Sequence, residues 1–263
     1  MLKIVKKPIG KLLLYCLIVS LMIPFFTSST NILIAQDWED EDDAEIEKEA
    51  QEQLAAMLQW SVKYRFGKDL KVGDRVEYKL IGDDNNNTAV ELEVTKEERG
   101  GLWIVEKFEG NEVHMLVDLK NMTLLELFGY DEDGKRQEPP LLDDNKVLEK
   151  IEEMKNMATA MGEMGMPIKW QEVNNTEEIT IPKGHLTCTI IEPKFREETT
   201  KDMSTDEKTN IIKEMRLYFS EDVPKLLPFE IALPAFVSSE TFILLQGGFV
   251  KNIDLEIEDF CKK

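Results

Sequence analysis

The sequence predicts an α+β fold, with one large, twisted antiparallel β-sheet covered by an N-terminal helix and a methionine-rich amphipathic helix. Three observations support this fold class. Apolar and polar residues alternate in five short runs across residues 74–130, as in strands with one covered face. The apolar spacing changes to three and four over residues 143–163, which is typical of a helix. Residues 179–191 then read ITIPKGHLTCTII, two strands around a Pro-Gly turn.

The first 35 residues have the composition of a secretory signal peptide. Four lysines precede the apolar run Leu12–Phe26, and the small residue Ala35 follows at an acceptable cleavage position. These features predict cleavage after Ala35 and a periplasmic or secreted protein. An uncleaved membrane anchor is the alternative, because Leu12–Ala35 is long enough to span a bilayer. Cleavage is favoured because Pro24 interrupts the apolar run.

Charge restricts the classes of partner. Removal of residues 1–35 leaves 228 of the 263 residues, with 28 basic and 52 acidic side chains, because the only charges in the leader are its four lysines. A surface this acidic repels nucleic acid and anionic headgroups and favours basic partners or a purely solvating role.

Cleavage would leave two cysteines, Cys188 and Cys261. In an oxidising compartment a pair of cysteines can form a disulfide. Cys188 also lies on the predicted core face of its strand, where a free thiol would serve as a small buried apolar group. The sequence leaves both alternatives open.

The expected mature chain begins with an acidic leader and a helix, residues 36–59, followed by one β-rich domain, residues 60–263. Trp60, Val62, Tyr64 and Phe66 alternate with other residues, which predicts a change to extended chain after the helix. The five runs of alternation then form an antiparallel meander. Its polar turns are 83–87, 100–101, 109–111, 120–121 and 131–134.

The covering helix is predicted over residues 143–163, with Asp143 or Asp144 as its cap. Its apolar face contains a cluster of methionines that continues into the helix exit. Core packing, an adaptable apolar binding surface and a soft-metal site are the three interpretations of this cluster, in that order. The candidate ligand-binding residues on this face are Leu148, Ile151, Met154, Met157 and Met161.

Beyond this helix the pattern predicts more strands. They are expected at residues 168–173, in the pair within 179–191, at 215–219, at 242–245 and at 253–257. Residues 195–209 are predicted to form a charged loop, and Gly247-Gly248 a reversal.

Catalytic signatures are absent from the sequence. It contains no nucleophile elbow, phosphate loop, dinucleotide fingerprint or zinc-protease motif, and its only histidines are His114 and His185. Asp131-x-Asp133-Gly134 resembles the start of a calcium loop, but Lys135 and Arg136 follow it. We therefore expect a protein without enzymatic activity, metal or cofactor.

The order of elements resembles the periplasmic lipoprotein-carrier superfamily. Three parts of the chain carry this resemblance: the meander followed by the covering helix, the turn Ile179-Thr180-Ile181-Pro182-Lys183-Gly184, and Tyr218-Phe219-Ser220-Glu221-Asp222-Val223-Pro224. The resemblance implies a half-barrel-like sheet whose apolar concave face is covered by helices. No functional residue of those carriers matches a position here.

These observations predict an exported, non-enzymatic binding protein. It would hold an apolar ligand, a lipid or acylated protein such as a lipoprotein, between the sheet and residues 143–163. The alternative is an envelope interaction or assembly factor that uses its acidic surface with a basic envelope protein. Neither hypothesis includes nucleic acid or a membrane span after cleavage.

Overall fold

The computed structural model describes residues 40–81, 88–108, 111–130, 134–139, 141–163, 169–197, 200–201, 203–231, 235 and 238–263. The predicted signal peptide and its cleavage site therefore lie outside the described residues. The expected turns at 83–87 and 131–133 also lie outside them.

The described chain forms one antiparallel, open sheet of eleven strands, in the order β6-β5-β4-β3-β2-β1-β11-β10-β9-β8-β7. The strands are β1 Arg75–Leu80, β2 Thr88–Glu98, β3 Gly101–Phe108, β4 Asn111–Asp118, β5 Thr123–Tyr130, β6 Arg136–Gln137, β7 Lys169–Ile181, β8 Gly184–Lys194, β9 Leu217–Ser220, β10 Gly248–Lys251 and β11 Leu255–Cys261. The predicted five-strand meander is confirmed, because β1 to β5 are neighbours in chain order. The C-terminal strand β11 pairs with β1 and joins this meander to the second half of the sheet.

Within the described residues, four helices and one 3-10 turn accompany the sheet. They are α1 Asp40–Arg65, α2 Asp144–Glu163, α3 Thr205–Glu214, the 3-10 turn Phe229–Ile231 and α4 Ser239–Leu244. The helix predicted over 143–163 is confirmed as α2. Its capping residue is Asp143, whose Oδ1 accepts the backbone N–H groups of Asn145 and Lys146.

The predicted extended segment after residue 59 is wrong, because α1 continues to Arg65. The alternation of apolar residues there has a different cause. The last turns of α1 are buried on almost all sides, with Trp60, Val62 and Tyr64 in the core and only Lys63 exposed. Trp60 and Tyr64, one helical turn apart, make an edge-to-face contact at 5.0 Å. A helix buried all round loses its one-sided period.

Three predictions in the C-terminal part are also wrong. Residues 242–245, predicted as a strand, belong mostly to α4, a six-residue helix too short to show a helical period. Gly248 begins strand β10 instead of a reversal. Residues 205–214 form α3 within the predicted charged loop; its capping box is formed by Ser204 and Glu207, a signal present in the sequence.

Strand β7 is continuous from Lys169 to Ile181, although the sequence predicts two separate strands there. The register with β8 shifts between Val173 and Thr176. This bulge absorbs Asn174 and Asn175 and explains why the apolar alternation is interrupted.

The two faces of the sheet differ in what covers them. The main core contains the inward residues of the strands together with buried residues of α1, α2 and α4. We call this side the inner face. Trp103, Leu116 and Phe128 form a separate small cluster on the opposite side, which we call the outer face.

Gly247, just before β10, passes very close to the backbone at the end of its partner strand β9. Its φ is +84°, and a Cβ at this position would lie 1.9 Å from the carbonyl oxygen of Ser220. Gly100 has a similar φ of +79°, but a Cβ added there would have no atom within 4 Å. We expect G100A to lower the free energy of unfolding by ~1–2 kcal/mol and G247A to lower it by roughly 4 kcal/mol or more. Equal losses in urea unfolding would contradict the close approach of Gly247 to Ser220.

Candidate functional site

The candidate site is the apolar interior between the inner face and the helices. Every second residue of the central strands points into it and is buried. These residues include Val76 and Tyr78 of β1, Val90, Leu92 and Val94 of β2, Ile104 of β3, Val113, Met115 and Val117 of β4, and Leu124 and Leu127 of β5. The interior therefore offers an apolar surface that runs across five neighbouring strands.

The N-terminal end of helix α2 is attached to α1. The Gln59 side chain donates to the carbonyl oxygen of Leu142 at 2.9 Å and accepts the backbone N–H of Leu142 at 2.8 Å. Val147 and Ile151, one turn apart, are buried beside this anchor. The amide pair and these two side chains fix where α2 begins.

The structure distributes the predicted ligand-binding residues unevenly. Ile151 is 2 % exposed and faces the interior, whereas Leu148 is 60 % exposed and faces solvent. Met154, Met157 and Met161 belong to α2, but their side chains lie outside the described part of the chain. Of the two predicted residues whose side chains are described, only Ile151 joins the apolar interior.

A buried ion pair, which no sequence motif predicted, lies at the C-terminal end of α1. Arg65 Nη2 is 2.6 Å from Glu106 Oε2. Arg65 also donates through Nε to the carbonyl oxygen of Leu227 at 2.9 Å, and Glu106 Oε1 accepts the backbone N–H of Phe229 at 2.9 Å. Helix α1, strand β3 and residues 227–229 therefore meet at one charged contact.

Lys225 extends this polar region. Its Nζ donates to the carbonyl oxygens of Phe242 and Leu245, both at 2.8 Å, so an ammonium group binds the C-terminal end of α4. Burial lowers the pKa of Lys225 from 10.5 to about 8, with a smaller opposing effect of Asp69. Gly67, just beyond α1, donates its N–H to the carbonyl oxygen of Lys225 at 2.9 Å.

One signal in the sequence could have revealed this region. Glu106 occupies the same face of β3 as Ile104, so an acid stands where the alternation demands an apolar residue. A buried carboxylate requires a partner. The identity of that partner, Arg65, depends on α1 continuing as a helix through residues 60–65.

The histidines and cysteines occupy separate places. His114 lies on the outer face against Phe128, and His185 is exposed beside Thr180. Cys188 on β8 is a buried free thiol, and Cys261 at the end of β11 is a half-buried free thiol.

Comparisons with known proteins identify no relative: no protein-family model, curated protein or solved structure matches the chain. Across the residues that the structure describes, no group of three or more His, Cys, Asp or Glu side chains is arranged to hold a metal ion. Within those same residues, no helix has the length and apolar character needed to cross a membrane.

The buried ion pair is testable by paired substitution. We expect R65M and E106L each to lower the free energy of unfolding by ~3–5 kcal/mol, because each leaves one uncompensated buried charge. The double variant R65M/E106L should lose less than either single variant. Urea unfolding of all four proteins measures this coupling, and additive losses in the double variant would show that the two charges do not depend on each other.

The lowered pKa of Lys225 predicts that the stability of the protein depends on pH. Its pKa is lower in the folded protein than in the unfolded chain, so the unfolded chain binds more protons between about pH 8 and 10.5. Stability of the wild type relative to K225M should therefore rise across this interval. Urea unfolding midpoints of the wild type and K225M at pH 7.5, 9 and 10.5 measure the difference in stability between the two proteins. The other titrating groups affect both proteins equally and cancel in this difference. A difference that stays constant with pH would contradict the prediction.

Proposed function

We propose that the protein is an exported, non-enzymatic carrier that binds an apolar ligand between the inner face of the sheet and α2. The ligand class is a lipid or the acyl chain of an acylated protein. The observation that carries this proposal is the attachment of α2. The helix is fixed at its first turns through Gln59, Val147 and Ile151. It packs on α1, which in turn packs on the apolar inner face of the sheet.

A half-barrel shape of the sheet belongs to this proposal. The short strands β9 and β10 end before their neighbours, and the β7–β8 turn reaches past them toward β11. Lys183 Nζ lies 2.5 Å from Asp259 Oδ1 and 4.9 Å from the Phe260 ring centroid. This contact supports a sheet that curls toward its inner face, as in the lipoprotein-carrier superfamily that the sequence resembles.

The ligand's chemistry follows from the surface available to it. The inner positions of β1 to β5 are almost entirely aliphatic, aromatic or methionine, and burial of each acyl methylene against such a surface contributes ~0.8 kcal/mol. The methionines of α2 would supply a pliable apolar cover that fits chains of different lengths. Arg65 and Glu106 pair with each other and with the backbone, although Arg65 Nη1 is buried without a hydrogen-bond partner. The other side chains of this surface are apolar, so binding would depend mainly on apolar contact.

The proposal predicts that acids on the covering helix prevent binding. M154E/M157E/M161E introduces three negative charges on the predicted ligand face and should abolish uptake of cis-parinaric acid, a fluorescent acyl probe, by delipidated residues 36–263. N145E/K146E is the matched control. It also lowers the net charge by three, at two exposed positions in the first turn of the same helix, and should retain binding.

Native mass spectrometry of the exported protein, purified without detergent, gives the independent measurement. A heterogeneous lipid-sized adduct, lost on organic extraction, is expected for the wild type and the control but not for the triple variant. Probe binding by a folded triple variant, as judged by circular dichroism, would refute a site beneath α2.

A second candidate function is supported by the edge of the sheet. Strand β7 is an edge strand with three exposed acids, Glu172, Glu177 and Glu178. An envelope assembly factor could use this edge to pair with an extended basic segment. It predicts a clean apo mass in native mass spectrometry and co-purification of a basic protein that is lost at high salt.

A further inference from the structure

A cavity lies on the outer face, on the opposite side of the sheet from the proposed acyl site. Its volume is about 300 Å³, and strands β2 to β6 and the β2–β3 turn all contribute to it. We call it the outer groove. Its lining residues are Thr95, Lys96, Glu98, Arg99, Trp103, His114, Glu126, Phe128 and Arg136.

The floor of the outer groove is aromatic and well packed. The rings of Trp103 and Phe128 meet edge to face at 5.4 Å. His114 stacks on Phe128, with a centroid distance of 4.5 Å and an interplanar angle of 7°, and the Arg136 guanidinium carbon is 3.7 Å from the same ring centroid. Two groups this close to one ring must occupy opposite faces, so Phe128 is held between an imidazole and a guanidinium.

The carboxylates of the outer groove are paired with its cations. Glu126 accepts Arg99 Nη2 on one oxygen and Arg136 Nη2 on the other, the latter at 3.0 Å. Glu98 Oε2 accepts Lys96 Nζ at 2.7 Å and Trp103 Nε1 at 2.9 Å, while its Oε1 lies 3.5 Å from Arg99 Nε. The hydrogen bonds from Lys96 and Trp103 lower the pKa of Glu98, and the hydrogen bond from Arg99 lowers the pKa of Glu126. Both acids therefore hold the neighbouring cations in place at the groove.

The cations, in contrast, retain donors. Within the described part of the chain, Arg99 directs Nη2 and Nε at carboxylates, and Arg136 directs Nη2 at Glu126 and Nε at Glu138, the latter at 2.5 Å. A guanidinium has five N–H groups and an ammonium three, so Arg99, Arg136 and Lys96 each keep N–H groups for a further acceptor. The groove therefore holds several N–H donors that its own carboxylates do not use.

The backbone around these cations departs from regular strand geometry. Strand β2 is bulged between Val94 and Lys96, which redirects its side chains at the rim of the groove. Arg99 has a φ of +51°, a conformation that glycine, asparagine and aspartate adopt far more readily than arginine. Local backbone preference therefore does not explain an arginine at this position, whereas its side-chain contacts in the groove do.

We propose that the outer groove binds a phosphate monoester, with the phosphate oxygens on Arg99, Arg136 and Lys96 and the attached apolar group at the exposed edges of Trp103 and Phe128. A phosphate dianion offers three strong acceptor oxygens, which match three cations with spare donors. Guanidinium groups bind such oxyanions through paired hydrogen bonds. This site does not depend on the proposed acyl-binding function, because it lies on the other face of the sheet.

Phenyl phosphate is the probe for this site, since it joins the phosphate to a flat apolar ring. The Trp103 indole N–H, assigned by comparison with W103F, should shift saturably in ¹⁵N NMR spectra of the full exported chain during titration in the millimolar range. Inorganic phosphate should bind more weakly and phenol should not bind. Raising the salt concentration should weaken the phenyl phosphate complex.

R99N/R136Q should weaken binding about tenfold or more; asparagine is chosen because it suits the positive φ of residue 99. R75Q/K183Q is the matched control, because it also removes two cations around a carboxylate, Asp259, away from the groove, and it should bind like the wild type. The single variant R136Q, with an intermediate loss, covers the case in which the double variant does not fold. Absence of a saturable shift, or equal losses in the double variant and the control, would overturn the proposal.

A second experiment distinguishes a lipid headgroup from a free small phosphate as the ligand. Phosphatidylcholine vesicles with and without phosphatidic acid present the same group as a lipid headgroup. Flotation with phosphatidic acid only, lost in R99N/R136Q, would place the ligand at a membrane surface. Binding of phenyl phosphate without flotation would identify a free small phosphate as the ligand.

Discussion

The buried ion pair between Arg65 and Glu106 is the contact on which the arrangement of helices and sheet depends. Arg65 ends α1, Glu106 lies on the inner face of β3, and each also bonds to the backbone: Arg65 Nε to the carbonyl oxygen of residue 227, and Glu106 Oε1 to the N–H of residue 229. A charge in such a place is tolerated only with its partner. The last turn of α1, the centre of the meander and the connection between β9 and α4 must therefore form together.

The polar contacts of the interior are concentrated at this end of α1. Leu227 donates its N–H to the carbonyl oxygen of Arg65, Gly67 pairs with Lys225, and Lys225 binds the end of α4. Toward α2, the described contacts of α1 are the amide pair of Gln59 with Leu142 and apolar packing. More directional contacts therefore hold the first junction than hold α2 within the described residues. The proposed ligand site beneath α2 lies at the less constrained of the two junctions.

Prediction from sequence succeeded where one physical rule acted alone. Strands β1 to β5 have one covered face and short polar turns, so their alternation identified them, and α2 has a one-sided apolar period and an aspartate cap. Prediction failed where tertiary contacts overrode the local pattern. The end of α1 is buried all round, α4 is too short to show a period, and the bulge at Asn174 and Asn175 hides the continuity of β7. The pairing of Arg65 with Glu106, 41 residues apart, and the aromatic floor of the outer groove depend on the register of neighbouring strands, which the sequence does not specify.

The alternation that makes a strand also allows the two faces of this sheet to carry different chemistry. On β3, Ile104 faces the core beneath the helices, and its neighbour Trp103 faces the outer groove. The same holds on β4, where Met115 points inward and His114 outward. A substitution on one face leaves the register and the contacts of the other intact, because the ladder uses only backbone atoms. The two proposed sites therefore lie on different faces of the sheet, and effects confined to one face would separate them in the same protein.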